Sequence, residues 1–310
     1  MRTTKSFPHL KNTMLLSPMA GVTDVAFRTL CKSYGAALTC TEFVSSAGLV
    51  RGTLRSEEML VTDPSEKPVA VQLFGSSIHD VVEAARLIED RFDIIDVNCG
   101  CPAWKVVRTG AGSALLEKPK EIGKFVSQLT SAVSKPVTVK IRKGLDEKHS
   151  TALEIAKIIE NCGASAIAIH GRTQVQGYSG EADWEIIRKV KEKLSIPVLG
   201  NGDVFSPEVF TKRLEESKVD GILLARGVLG KPFLFQQIQD YLKKGSYDKR
   251  DSLEDFFRYL NLAKNYSLSF SQIKQHALSF THGRVGGARL REKISACKSE
   301  EKIETLLKNL

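Results

Sequence analysis

The sequence predicts an α/β fold, a (βα)8 TIM barrel followed by a small all-helical C-terminal domain. Three observations predict it. Short apolar runs bounded by Gly, Pro and Asp recur along the chain, with helical patterns between them, as parallel strands covered by helices require. Eight such units fit within about 230 residues, which suits a closed barrel better than an open doubly wound sheet. Past residue 250 the helical spacing continues with no strand signal.

The candidate strands are residues 14–18, 37–42, 69–74, 94–98, 137–141, 166–170, 197–201 and 221–225. Helical patterns cover 25–34, 81–91, 121–133, 152–162, 184–194, 207–216 and 233–242, several opened by a capping residue such as Asp24, Asp183 or Ser206. Only the connection between the second and third strands lacks a long helix. The tetrapeptide at 247–250 (YDKR) reads as a linker, dividing a barrel over 1–246 from a helical domain over 247–310. In that domain, helices are expected at 253–268, 271–281, 288–296 and 300–310, interrupted by a turn at Gly283, Gly286 and Gly287.

Composition narrows the class. A chain of 310 residues, 42% hydrophobic and 26% charged, is an ordinary globular protein. It has no apolar run of the ~20 residues that span a bilayer, and its first eleven residues lack the apolar core of a secretory signal, so a cytoplasmic location is expected. No GxGxxG follows the first strand, which counts against a Rossmann domain. The net charge is +9, of which +7 lies between Arg258 and Lys298. Such a local excess is the footprint of a polyanion partner, although a solvated helical face would show the same composition.

The chemistry is expected at the C-terminal ends of the strands. Alternation along the fourth and fifth strands turns Asp96, Asn98, Lys140 and Arg142 into the barrel, while Gln72, His170 and Asn201 close other strands. A buried polar group without a partner costs ~1–3 kcal/mol, so the collection calls for a ligand or a dense network. The last two strands end in Gly200-Asn201-Gly202-Asp203 and Ala225-Arg226-Gly227, where small residues let backbone amides approach a phosphate. Six scattered cysteines offer no paired metal framework, and Cys99-Gly100-Cys101 has no second ligand pair, so no metal is expected. Cys101 precedes Pro102 and belongs on the loop over the mouth, where a thiol of pKa ~8.5 can donate a proton or, deprotonated, act as a nucleophile. Cys99 has the blander surroundings of a buried side chain.

On these residues the chain resembles the tRNA-dihydrouridine synthase family, from about residue 13 to 300. The matching segments are 16–28 (LSPMAGVTDVAFR), 71–75 (VQLFG), 97–116 (VNCGCPAWKVVRTGAGSALL), 137–142 (VTVKIR), 169–184 (IHGRTQVQGYSGEADW), 198–203 (VLGNGD) and 225–232 (ARGVLGKP). The strings N-x-G-C-P and I-H-G-R-T-x-x-Q-G-Y-S-G are highly specific together. The resemblance implies an FMN-binding barrel and a helical tRNA-recognition domain. Carried over residue by residue, the flavin ring lies on Pro18, Met19 and Ala20, with Gln72 and Lys140 at its polar edge. The phosphate is held near His170 by Asn201, Gly202, Asp203, Ala225 and Arg226. Cys101 matches the proton donor, and Asn98, Lys105 and Arg172 match positions toward the RNA. Ala225 stands where the family often has glycine.

The implied reaction is reduction of the C5–C6 bond of uridine in tRNA, with NADPH or NADH reducing the flavin and Cys101 supplying a proton to C5 of a flipped-out base. No protein partner is indicated, and a monomer is expected. Two alternatives stand beside it. A flavin barrel acting on a free pyrimidine leaves the +7 tail without a purpose, and a non-catalytic RNA-binding module leaves Lys140, Cys101 and the phosphate loops unexplained.

Overall fold

In the computed structural model, which describes residues 5–310, the eight strands are β1 (Met14–Leu16), β2 (Thr39–Ser45), β3 (Val69–Phe74), β4 (Ile94–Cys99), β5 (Val137–Arg142), β6 (Ala166–His170), β7 (Val198–Asn201) and β8 (Gly221–Leu224). Residues 1–4 of the predicted barrel segment lie outside the described residues. All pairings are parallel, in the order β1-β8-β7-β6-β5-β4-β3-β2. A single bridge between Leu15 and Leu38 closes the ring, with Ala37 N–H donating to Met14 O at 2.8 Å and Leu16 N–H to Leu38 O at 2.9 Å. The chain therefore forms the predicted TIM barrel.

Between strands lie α1 (Val25–Ser33), α2 (Ser46–Val50), α3 (Leu54–Glu58), α4 (Ile78–Ile88), α5 (Trp104–Val107), α6 (Pro119–Ala132), α7 (Ala152–Asn161), α8 (Trp184–Lys191) and α9 (Pro207–Ser217), and α10 (Leu234–Lys244) follows the last strand. The weak second connection is filled by α2 and α3, too short to show a helical period in the sequence. β2 starts later than expected and reaches Ser45, with a register shift between Cys40 and Phe43. After β4 comes α5 and a 3-10 turn at Gly112–Glu117, where the sequence predicted only a loop. The caps work as read: Asp24 Oδ1 accepts from Phe27 N–H at 2.9 Å and Asp183 Oδ1 from Ile186 N–H at 3.0 Å.

Alternation sorts the side chains into two cores. Leu15, Leu38, Cys40, Ala70, Ile94, Ala168, Leu199 and Leu223 fill the barrel interior, with Phe7 and Leu10 packed against them. The opposite strand faces, including Ile95, Val97, Val139 and Ile141, meet the helices. The apolar interior layer seals one end and leaves the polar residues above it at the mouth.

The tail holds α11 (Ser252–Asn265), α12 (Phe270–Phe280), α13 (Gly287–Ala296) and α14 (Glu300–Lys308), and the expected linker falls in the coil between α10 and α11. Phe256, Tyr259, Ala263 and Phe280 belong to the same apolar cluster as Phe27, Leu30 and Cys31 of α1. Polar ties cross the same seam: Tyr259 OH donates to Asp24 Oδ2 at 3.0 Å, and His276 Nε2 lies 3.0 Å from Val22 O and 3.1 Å from Asp24 Oδ2. The helical part is thus fastened beside the barrel mouth, at the loop after β1.

Candidate active site

Hydrogen bonds inside the barrel run in one chain from its core to its mouth. Thr138 Oγ1 donates to Asp96 Oδ1 at 2.5 Å, and Gln72 Nε2 donates to Asp96 Oδ2 at 2.6 Å. Asn98 Nδ2 then donates to Gln72 Oε1 at 2.8 Å, leaving Asn98 Oδ1 to accept from Gly100 N–H at 3.2 Å and Cys101 N–H at 2.9 Å. Burial pushes the Asp96 carboxyl above the usual range, and because both of its oxygens accept, from Thr138 and Gln72, the chain of amides built on it is oriented and fixes the start of the Cys101 loop. From the other side, Ser113 donates its N–H (3.1 Å) and hydroxyl (2.9 Å) to Cys101 O. Gly112 has a φ of 63°, and a Cβ there would stand 2.7 Å from Cys101 O. Arg142 completes the clamp, with Nε donating to Gly100 O at 3.0 Å and Nη1 to Thr173 O at 2.7 Å and Gly177 O at 2.9 Å.

This loop overhangs a cavity of about 560 Å³, lined by Pro18, Met19, Ala20, Gln72, Asn98, Cys101, Lys140, His170, Asn201, Gly202, Asp203, Ala225 and Arg226. The size lies within the ordinary range for ligand pockets. Burial pushes the half-buried Cys101 thiol up, against the pull of an amide hydrogen bond from Ala103 and the nearby Arg142 and Lys140 charges, so at neutral pH it keeps its proton. Cys99 points the other way into the helix-side core, and burial together with Asp96 drives its thiol far up. Cys99 is the last residue of β4, whereas Cys101 lies past its end on the loop that turns over the cavity, and that difference decides which cysteine meets it.

The cavity is electropositive. Desolvation and the Arg142 charge lower Lys140 to about 8, and its ammonium makes no hydrogen bond or ion pair among the described residues. Desolvation and the charges of Lys140, Arg142, Arg172 and Arg226 push His170 down to about 2, so it is a neutral imidazole. An uncompensated ammonium and a neutral donor among cations are a receptor for an anion or a polar ring edge. Asp203 supplies the local counter-charge: despite the cost of burial, Arg172 and Arg226 hold its carboxyl below the usual range. Its Oδ1 lies 2.7 Å from Arg172 Nη1 and 2.8 Å from Arg226 Nη2. The close packing at the loop ends is strict, since a Cβ on Gly202 would meet Ala182 Cβ at 2.4 Å and one on Gly227 would meet Val204 O at 2.1 Å. Asn201 Nδ2 donates to Leu223 O at 2.8 Å and ties the ends of β7 and β8 together.

Two residues expected toward the RNA are placed differently from the rest. Lys105 is exposed on α5, outside the cavity lining. Arg172 is only 2% exposed, and its guanidinium is spent on Asp203, Ser179 O at 3.0 Å and Gly180 O. It braces the loops after β6 and β7 instead of reaching outward. Asn98 lines the cavity, but its amide is committed to Gln72 and the Cys101 loop.

The family profile described as dihydrouridine synthase (Dus) matches residues 15–310. The chain is 36% identical over 300 residues to tRNA-dihydrouridine synthase B of Pseudomonas putida, covering 94% of this chain and 89% of that one. To the protein of the same name from Pasteurella multocida it is 42% identical over 247 residues, 79% and 74% of the two chains. The chain belongs to the dihydrouridine synthase family. Its fold is also that of TcOYE with pHBA (TM-score 0.59, 13% identity, 86% of this chain and 97% of that one). Histamine dehydrogenase from Rhizobium sp. 4-9 shares it at a TM-score of 0.57 and 15% identity, over 84% of this chain and 50% of that one.

The cavity is also lined by Phe43 and Phe205, which sequence reading did not single out, and by Tyr178, which stands in the motif at 169–184 but was given no role there. Arg226 lies with its guanidinium carbon 4.4 Å from the Tyr178 ring centroid and 5.6 Å from that of Phe205. Strand alternation had already turned Arg142 inward, whereas nothing in the local sequence marks Ser113 as the partner of Cys101. Among the described residues no cluster of His, Cys, Asp or Glu could hold a metal, and no helix is long and apolar enough to cross a membrane.

Proposed function

We propose that this dihydrouridine synthase reduces the C5–C6 double bond of uridine in tRNA, using FMN and NADPH or NADH. The observation that carries the reading is the joint placement of a protonated Cys101 thiol and an unpartnered Lys140 ammonium in one cavity, beside a neutral His170 among cations. These residues fit FMN: Pro18, Met19 and Ala20 offer a largely apolar wall for the ring, and Lys140 and Gln72 face its polar edge. His170, Asn201, Gly202, Asp203, Ala225 and Arg226 would hold the phosphate, with Arg226 contributing a cation. A bound FMN would supply hydride chemistry toward C6 of the base, with NADPH or NADH as the source of electrons. Cys101 gives the proton to C5, and the Asn98 and Ser113 hydrogen bonds hold its backbone still while it does so. A base turned out of the RNA would reach the cavity through the barrel mouth.

The basic helices beside the mouth would hold the tRNA body. We place the enzyme in the cytoplasm as a monomer, since it needs tRNA and a nicotinamide donor and the site is complete within one chain. The test is direct. Purified protein should be yellow and release FMN on denaturation, and with NADPH it should form dihydrouridine in unmodified tRNA, mapped by mass spectrometry. Colourless protein that also fails to bind added FMN, or tRNA left unreduced, would refute the reading.

A further inference from the structure

The chain has two tryptophans with opposite surroundings. Trp184 is 5% exposed, its ring packed against Gly200, while Trp104 is 71% exposed. Packing does not require an indole at position 104, because α5 is anchored by the buried Val106 and any helix former would serve on its outer face. Trp104 follows Ala103, which lines the cavity, and lies three residues from Cys101, yet it is not itself part of the lining. Its neighbours Lys105 and Arg108 are exposed and form no ion pair or hydrogen bond through their side chains among the described residues. On the loops after β6 and β7, Tyr178 (62%) and Phe205 (52%) also leave large aromatic surfaces exposed. Aromatic faces interleaved with unpaired cations around a positive cavity are the pattern that binds single-stranded nucleic acid.

We propose that the Trp104 indole is a stacking platform for a nucleotide adjacent to the target uridine, so that the RNA is gripped as a splayed strand across the barrel mouth. A single nucleoside in the cavity would not reach Trp104, whereas a chain passing out of it over α5 would. Lys105 and Arg108 are placed for the phosphates on either side of that base. The inference rests on the tRNA reading above and adds a contact that sets how the strand is held.

Because Trp184 is buried and Trp104 is exposed, the part of the tryptophan emission that tRNA can quench by contact is that of Trp104. Titration with unmodified tRNA should quench it, and Trp104→Ala should abolish the quench. Stacking is worth ~1–3 kcal/mol per base, so kcat/KM for tRNA should fall roughly 5- to 150-fold, mainly through KM, with Trp104→Phe recovering most of the loss. Flavin content and melting temperature check that each variant is folded; if the alanine variant is not, the wild-type quench and the Phe variant decide. An enzyme that makes dihydrouridine while its Trp104 emission is unmoved by saturating tRNA overturns this inference alone. So does an unchanged kcat/KM in folded Trp104→Ala. Failure of the wild-type enzyme to make dihydrouridine overturns the tRNA reading, and this inference with it.

Discussion

At the scale of single residues, the two neighbouring cysteines should behave oppositely. Cys101→Ala should keep its flavin and lose about 10²–10⁴-fold in tRNA reduction, the usual size of a general-acid contribution. Cys99→Ala should lose little activity and about 1 kcal/mol of stability, measured by urea unfolding, because it only removes a sulfur from the helix-side core. Equal activity losses in the two would reverse the assignment. The pH profile follows from the same environments. The acid form of Cys101 is needed and burial raises its pKa, so the thiol alone would keep the rate level well past neutral pH. Lys140, lowered to about 8, loses its charge first. The rate should therefore hold through pH 7 and decline above about 8, and Lys140→Arg, which keeps its charge, should move that limb upward.

At the scale of elements, the connection from β2 to β3 is held by a buried pair and not by a long helix. Arg28 on α1 is 1% exposed and Glu66, ahead of β3, is 0% exposed. Arg28 Nε lies 2.7 Å from Glu66 Oε2, its Nη2 lies 3.2 Å from Oε1, and further donors reach Thr23 O and Val61 O at 2.7 and 2.6 Å. One side chain thus joins α1, the loop after β1 and the excursion after β2. Glu66→Ala leaves the guanidinium buried and unpaired, and should cost about 3–5 kcal/mol in denaturant unfolding. A loss under 1 kcal/mol would show that the excursion is held by its apolar contacts instead.

At the scale of the whole molecule, charge and core have to be separated. Removing the helices would strip the apolar cover from Phe27 and Leu30 of α1, so truncation would test stability as much as RNA binding. Several of the basic tail residues are also engaged: Arg284 pairs with Asp251, Lys264 with Glu304 at 2.7 Å, and Arg291 donates to Thr281 O at 3.2 Å. Arg289, Lys293 and Lys298 are exposed, and their side chains have no partner among the described residues. Changing these three to Gln should weaken tRNA binding and reduce the magnitude of the slope of log K against log salt by up to about 2–3, at ~0.7–0.9 per phosphate contact, with the melting temperature nearly unchanged. An unchanged slope would move the RNA anchor to Lys105 and Arg108.

The sequence by itself determined the barrel, the inward turn of Lys140 and Arg142, and the candidacy of Cys101. Each follows from a period of two, a strand-ending Pro or Gly, or a contiguous motif, all of which are local. Local pattern also carried the four tail helices and their charge. Tertiary structure alone decided how those pieces are used. Arg172 lies in one of the most specific motifs, yet it braces Asp203, because the loops after β6 and β7 meet only when the barrel closes. Ser113 holds Cys101 O from twelve residues away through a turn that no period announces. The helical part shares a core with α1 because residues 24 and 259 are brought into hydrogen-bond contact by the fold. Local sequence records which way a side chain points along its own element, whereas the partner it meets depends on elements distant in the chain and is settled only when they pack.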